Sequence, residues 1–163
     1  MNLPVGDIIE ENLILSEVDV KGLIEALIDR QFTGYIVNTI EGIAGIEEGV
    51  LLFKKGDLLG SFYEYTNHEK SIFGKNAIDP TFNSLAAEKG IMDIISLSSQ
   101  QADLVTAFND KIKIVQMFKR SELLGLVRRR FSTSFAQNTL KNVVGKGESR
   151  KSVLKRLGLS EIR

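Results

Sequence analysis

The sequence predicts an α+β fold, in which an antiparallel sheet with a central hairpin packs against helices and a basic C-terminal helical extension follows. The hairpin is indicated by two apolar and aromatic runs, at about 50–54 and 57–66, on either side of the turn Lys-Lys-Gly-Asp. In that turn Gly56 tolerates a positive φ and Asp57 can bond its own backbone. Both runs are apolar on both faces, which favours a sheet that is covered on both sides.

A helix before the hairpin is predicted by apolar residues that recur at helical spacing. They stand at i, i+3, i+4, i+7 and i+8 over residues 20–28, after a cap at Ser16 or Asp19. We expect this helix to end near Gln31. The run Gly34–Ile40 that follows is β-branched and aromatic, and it therefore predicts a strand.

The segments on both sides of the hairpin are less regular in sequence. Residues 43–49 are predicted as a loop or a weak strand, because glycines disfavour regular pairing there. Residues 71–76 are predicted as a loop. Asp79 is expected to cap a helix that has Pro80 as its first residue and ends at Gly90.

The second half of the chain predicts further elements. They are, in order, a strand at 91–97, a helix capped by Ser98 or Ser99, a strand that begins within 111–115, a helix from Ser121 and a helical stretch at 135–144. The helix after Ser98 is expected to end at Phe108, with inward-facing side chains at Ala102, Leu104, Val105 and Phe108.

Composition bounds the class of protein. The chain has 163 residues, a length sufficient for one ordinary domain plus an appendage. Of its residues 43% are hydrophobic and 26% charged, as in globular proteins. Cysteine is absent, which excludes a disulfide framework and a thiolate metal site. The first residues lack the features of a signal peptide, and no apolar run approaches the roughly 18 residues of a membrane helix, so we expect a cytoplasmic protein.

Charge is distributed unevenly along the chain. Residues 1–118 carry 9 Lys or Arg against 18 Asp or Glu, whereas residues 119–163 carry 12 basic against 3 acidic residues. The sequence therefore predicts an acidic α+β domain at 1–118 and a basic helical extension at 119–163, with a linker near 145–149. The extension either folds back onto the acidic part of its own or a sister chain, or meets nucleic acid, anionic lipid or an acidic protein.

Structural glycines and apolar positions recur through roughly residues 18–115, in Phe32–Val37, Gly49–Leu58, Gly74–Ala77 and Gly90–Ile94. With this order of elements, they resemble the PATAN-like (PatA N-terminal-like) regulatory domains and a related group of uncharacterised archaeal proteins. The resemblance implies an α+β fold in a non-catalytic adaptor of signalling or polarity proteins, and it transfers no catalytic residue.

The sequence contains residues that could act in catalysis or metal binding, but none of them has the other members of a known motif at the spacing that the motif requires. His68 stands in a polar loop, and Gly145–Ser149 lacks the spacing of a phosphate-binding loop. Ser132 and Ser134 have no histidine nearby in sequence. Candidate carboxylates are interpreted as solvated; these are Glu47, Glu48, Asp57, Glu64 and Asp93. The aromatic residues of the strands are assigned to core packing or partner contact, because the acidic surroundings oppose nucleic-acid stacking; these are Tyr35, Phe53, Phe62, Tyr63 and Tyr65.

The last part of the extension has an amphipathic pattern. Residues 149–157 predict a helix with apolar and basic sides, which is marginal alone in water and therefore needs a groove, a membrane surface or the body of the protein. The residues predicted to bind a partner are Arg150, Lys151, Leu154, Lys155, Arg156, Leu157 and Leu159.

Taken together, these patterns favour a non-catalytic regulatory or adaptor module that binds a partner protein, as a homodimer, with the basic C-terminal helix as docking element. No cofactor or metal is predicted. The alternative is a nucleic-acid-binding protein that uses Arg128–Arg130 and the C-terminal segment. Contact of the same segment with an anionic membrane is a further hypothesis, and an enzyme ranks last.

Overall fold

The computed structural model describes residues 1–144, with six strands and five α-helices among them. The strands are β1 (Asp7–Ile14), β2 (Gly34–Gly42), β3 (Gly45–Lys54), β4 (Asp57–Tyr65), β5 (Lys70–Phe73) and β6 (Gly90–Ser96). The helices are α1 (Val20–Asp29), α2 (Lys75–Ser84), α3 (Ser99–Phe108), α4 (Arg120–Leu126) and α5 (Ser134–Val144). The predicted α+β class is confirmed. Residues 1–132 form one compact unit, and α5 belongs to a second unit that begins at Thr133.

All six strands lie in one antiparallel sheet of order β1-β6-β2-β3-β4-β5. The predicted hairpin is β3–β4, and β3 lies inside the sheet between β2 and β4. At its turn Lys55 and Gly56 both have positive φ, +50° and +84°, as expected for a two-residue hairpin turn that matches the strand twist. The turn is anchored because the Gly56 amide donates to the Phe32 carbonyl at 2.9 Å.

The sheet is covered on both faces, as predicted. On the first face α1, α2 and α4 pack over a cluster of 18 buried residues, with Ile24, Phe82 and Leu123 as one contribution from each helix. On the second face α3 and the N-terminal residues pack over seven buried residues, among them Leu52 and Val105. Consecutive residues of β3 therefore enter different clusters, which explains why Val50, Leu51, Leu52 and Phe53 are all apolar.

Two segments predicted as irregular are strands. β3 begins at Gly45 and pairs with β2 as far as Phe53, so of the two alternatives predicted at 43–49 the strand is confirmed from Gly45 onward and the loop is not. The turn between the two strands is short, and Gly45 there has φ +98°. The loop predicted at 71–76 is also corrected, because Lys70–Phe73 forms β5 on the outer edge of β4.

Helix α2 starts earlier than predicted. Its N-cap is Gly74, with φ +60°, and Pro80 lies inside the helix and is not its first residue. Gly90 opens β6 and does not end the helix. Because Pro80 is the sixth helical residue, it removes one bond of the helical ladder, and the helix nonetheless continues to Ser84.

The region after α3 also differs from the prediction. Instead of a strand within 111–115, Asp110–Ile112 forms a 3-10 turn, and Lys113 makes an isolated bridge with Gly60. The Ile114 amide then donates to the Leu59 carbonyl at 2.9 Å, so the segment follows β4 for only two residues. The helices predicted from Ser121 and at 135–144 are present as α4 and α5.

Candidate functional site

Helix α3 presents an apolar stripe to solvent. It is capped at Ser98, whose Oγ accepts the Gln101 amide at 3.1 Å while the Gln101 side chain accepts the Ser98 amide at 2.9 Å. Leu104 is 53% and Phe108 81% exposed, so the prediction that both point inward was wrong. The reason is geometric, because Ala102 and Val105 already occupy the buried side of this ten-residue helix.

The N-terminal residues form the second wall of a groove along α3. The Tyr35 hydroxyl donates to the Pro4 carbonyl at 3.0 Å, and Leu3 packs against the cluster of the second face. The resulting cavity of about 760 Å³, here called the α3 groove, is lined by Met1, Asn2, Leu3, Pro4, Gln101, Leu104, Val105, Phe108 and Asn109. Its size and apolar walls are those of a binding cleft.

The α3 groove continues into a second cavity of about 480 Å³ beside β5. The two cavities share Met1, Phe108 and Asn109. The second cavity, here called the β5 depression, is also lined by Phe62, Glu64, Ser71, Phe73, Asp110, Lys111 and Ile112. Together they form a trough with exposed aromatic side chains, since Phe73 is 37% exposed and its ring lies 5.4 Å from that of Phe62.

Carboxylates make one end of this trough acidic. Glu48 and Glu64 stand directly opposite each other on β3 and β4, and Ser71 Oγ donates to Glu64 at 3.3 Å. Burial, followed by the charge of Glu64, raises the pKa of Glu48, and the N-terminal ammonium group of Met1 opposes this shift. The interpretation of Glu48 as an ordinary solvated carboxylate is therefore corrected.

A buried polar pair lies on the other face of the sheet. The Tyr63 hydroxyl donates to Glu47 Oε2 at 2.5 Å, and the two residues are 1% and 2% exposed. Burial raises the pKa of Glu47, while the hydrogen bond from Tyr63 opposes that shift. Glu47 Oε1 has no hydrogen-bond partner among the residues described. The expectation that Glu47 is solvated was therefore wrong.

Further polar groups extend this buried pair toward α2. Asn38 Nδ2 donates to Ser84 Oγ at 2.7 Å, and Ser84 in turn donates to the Thr81 carbonyl at 2.7 Å. Gly49 separates Asn38 from Tyr63 in the strand register, and a Cβ at Gly49 would lie 2.7 Å from Asn38 Oδ1. This close packing makes the network a means of fixing strand register rather than a ligand site.

The other candidate residues are dispersed. His68 is exposed in the 3-10 turn Thr66–His68. Within residues 1–144, three or more His, Asp or Glu side chains do not gather as metal ligands. The five strand aromatics are buried, which confirms their assignment to core packing; these are Tyr35, Phe53, Phe62, Tyr63 and Tyr65.

Of the residues that the sequence predicted to bind a partner or nucleic acid, only Arg128–Arg130 lie in the part of the chain that the structure describes. Arg128–Arg130 follow α4 and are exposed. The seven residues predicted to bind a partner lie outside the described residues, as does the linker predicted at 145–149; those seven are Arg150, Lys151, Leu154, Lys155, Arg156, Leu157 and Leu159.

The comparisons with known proteins identify a family. Residues 1–109 match the family described as "Uncharacterized protein conserved in archaea (DUF2226)". The chain belongs to this family. The matched part of this DUF2226 protein extends from the N-terminal residues through the whole sheet to the end of α3, and it therefore contains most of the trough. No curated protein and no solved structure matches the chain.

The match bears on two predictions. It confirms the likeness to uncharacterised archaeal proteins, and it gives no support to the PATAN-like assignment. In the part of this DUF2226 protein that the structure describes, no helix combines the length and the apolar character needed to cross a membrane.

Proposed function

We propose that this protein is a non-catalytic, cytoplasmic adaptor or regulatory module that binds a partner protein through the α3 groove. The basic C-terminal segment serves as its docking element toward other molecules, and the protein works as a homodimer. The resemblance to PATAN-like regulatory domains, which are adaptors of signalling proteins, supports this proposal as an analogy.

The observation that carries the proposal is the exposed apolar stripe of α3. Phe108 is 81% and Leu104 53% exposed, and they stand one helical turn apart on the wall of a cavity of about 760 Å³. Apolar residues concentrated in a concave surface are typical of protein-binding sites, where aromatic anchors supply most of the affinity. A helix laid along α3 would bury both side chains.

The test is capture of partners from native cell extract by the full chain. We expect the double variant Leu104→Ser/Phe108→Ser to lose the proteins that the unmodified chain captures. The matched control is Ile43→Ser, because Ile43 is 59% exposed in the β2–β3 turn, away from the groove. Equal capture by all three proteins would contradict a role of the groove. Deletion of residues 145–163 tests whether the C-terminal segment is a docking element. If the deletion changes neither the captured proteins nor the oligomeric state, this role is refuted.

A second candidate function is nucleic-acid binding. It is favoured by exposed Arg128–Arg130, of which Arg128 and Arg129 line a cavity of about 560 Å³ together with Lys21. Binding to phosphates would weaken steeply as salt increases. The measurement is the affinity for DNA and RNA at several salt concentrations, and the absence of binding at low salt would dispose of this function.

A further inference from the structure

We infer that the α3 groove receives residues 149–159 of a second copy of this chain, so that two copies exchange their basic C-terminal segments. The inference rests on the proposed function, because it names the first protein that the groove binds. The groove and the segment match in three properties: charge, apolar pattern and length.

The segment is basic, and the β5 depression that continues the α3 groove is lined by more acidic than basic side chains. Glu64 and Asp110 line the β5 depression alongside Lys111, and Glu48 stands directly across from Glu64. Residues 149–159 contain four cations, Arg150, Lys151, Lys155 and Arg156, and no acidic residue. The same opposition holds for the whole chain, with nine excess acidic charges over 1–118 and nine excess basic charges over 119–163. Complementary charge of this kind speeds association and selects the partner.

The apolar pattern and the length also agree. Val153, Leu154 and Leu157 stand at i, i+1 and i+4, which predicts one apolar side that can cover Leu104 and Phe108. The predicted helix of nine residues, 149–157, is about 14 Å long, and α3, with ten residues, is about 15 Å long. The segment therefore matches α3 over nearly its whole length, and the contact would stabilise a helix too short to persist alone.

In an exchange between two copies, the groove of each chain binds the C-terminal segment of the other chain. Each copy offers one groove and one segment, so two reciprocal contacts close a two-fold dimer. The predicted linker at 145–149 spans up to about 17 Å when extended. Nineteen residues, 145–163, follow Val144 in the sequence, and they contain the linker and the segment in full.

The experiment is sedimentation velocity of the full chain at concentrations from about 1 to 100 μM, a range that brackets a micromolar dissociation constant. We expect a monomer–dimer equilibrium whose dissociation constant increases at least about tenfold in Phe108→Asp and in Leu154→Asp/Leu157→Asp. A mixture of these two variants should recover a dimer, because one keeps its segment and the other its groove. The control variant Ile43→Asp should behave like the unmodified chain.

A labelled peptide of residues 149–159 gives a second readout. It should bind the unmodified chain and not the Phe108→Asp variant, whereas a scrambled peptide of equal charge should bind neither. Circular dichroism checks that the variants are folded. A monomer at every concentration, a dimer that neither substitution weakens, or a dimer broken by Phe108→Asp alone would overturn the inference. These outcomes differ from the one that refutes the proposed function, in which the capture of other proteins from cell extract does not depend on Leu104 and Phe108.

Discussion

Replacing Tyr63 by phenylalanine tests the buried polar pair of the first face. The substitution removes the hydroxyl that donates to Glu47 Oε2 at 2.5 Å and keeps the ring, whose centroid lies 5.3 Å from that of Tyr65. Because Glu47 Oε1 already lacks a hydrogen-bond partner within residues 1–144, the carboxyl group loses the one bond made by its other oxygen. The effect is therefore electrostatic more than steric.

The magnitude follows from the charge of the acceptor. A hydrogen bond to a charged group contributes about 1.5–3 kcal/mol to stability, and one between neutral groups about 0.5–1.5 kcal/mol. Glu47 and Tyr63 are almost completely buried, so water does not replace the lost donor. We expect Tyr63→Phe to lower the free energy of unfolding by about 2–3 kcal/mol when Glu47 is ionised, and by about 1 kcal/mol when it is protonated.

The pH dependence has a defined sign. Burial raises the pKa of Glu47 in the folded protein, so the folded state holds this proton more tightly than the unfolded chain does. The corresponding stability is complete below the unfolded pKa of about 4.3, and it is lost as the pH rises through the folded pKa. Tyr63→Phe removes the interaction that lowers this pKa, so the variant loses more stability than the unmodified protein as the pH increases.

The assay is urea unfolding of both proteins at about pH 4 and pH 8, because the raised pKa of Glu47 makes the difference between the two proteins increase with pH. The matched control is Tyr35→Phe, because the Tyr35 hydroxyl donates to an uncharged acceptor, the Pro4 carbonyl, at 3.0 Å. The control should cost about 0.5–1.5 kcal/mol at both pH values. If Tyr63→Phe costs the same at both pH values, or less than about 0.5 kcal/mol at the higher one, the reasoning about Glu47 is refuted.

Three further substitutions test the packing of the sheet and of α3. Gly49→Ala should destabilise the protein by about 1–3 kcal/mol, seen as a lower thermal midpoint, because its Cβ would lie 2.7 Å from Asn38 Oδ1. Gly56→Ala should cost about 1 kcal/mol or more in urea unfolding, because Gly56 has φ +84°, and an unchanged midpoint would contradict the turn geometry. Ser98→Ala should cost about 1 kcal/mol by loss of the α3 cap, whereas Ser98→Asp, which keeps an acceptor, should cost much less.

The sequence contained enough local information to predict the central hairpin and α1. In the hairpin, Gly56 and the flanking apolar runs specify the turn without reference to any other element. In α1, Asp19 caps the helix by accepting the Gly22 amide at 3.1 Å, and Ile24 and Leu27 are buried as the spacing requires. Such elements are predictable because propensity, periodicity and caps agree within a few residues.

Elements that depend on a distant partner were missed. β5 has four residues and no distinctive pattern, and it is a strand because the edge of β4 accepts its hydrogen bonds. The burial of Glu47 was equally invisible, because Tyr63 lies 16 residues away and meets it through the register of β3 and β4. The exposure of Phe108 depends on how much of α3 the sheet can cover, which helical spacing alone does not state.

The two faces of the sheet differ in a way that bears on where a partner binds. On the first face, three helices and a buried polar network fix one arrangement, and rearranging it would expose Glu47 or leave Tyr63 without its acceptor. On the second face, Val105 and Leu97 contribute to a smaller cluster, and Phe108 remains 81% exposed. Binding on the second face therefore adds apolar contacts without breaking any that the fold already makes, because covering Phe108 removes surface that is still in water. For this reason we propose that a partner binds in the α3 groove, where Leu104 and Phe108 are exposed.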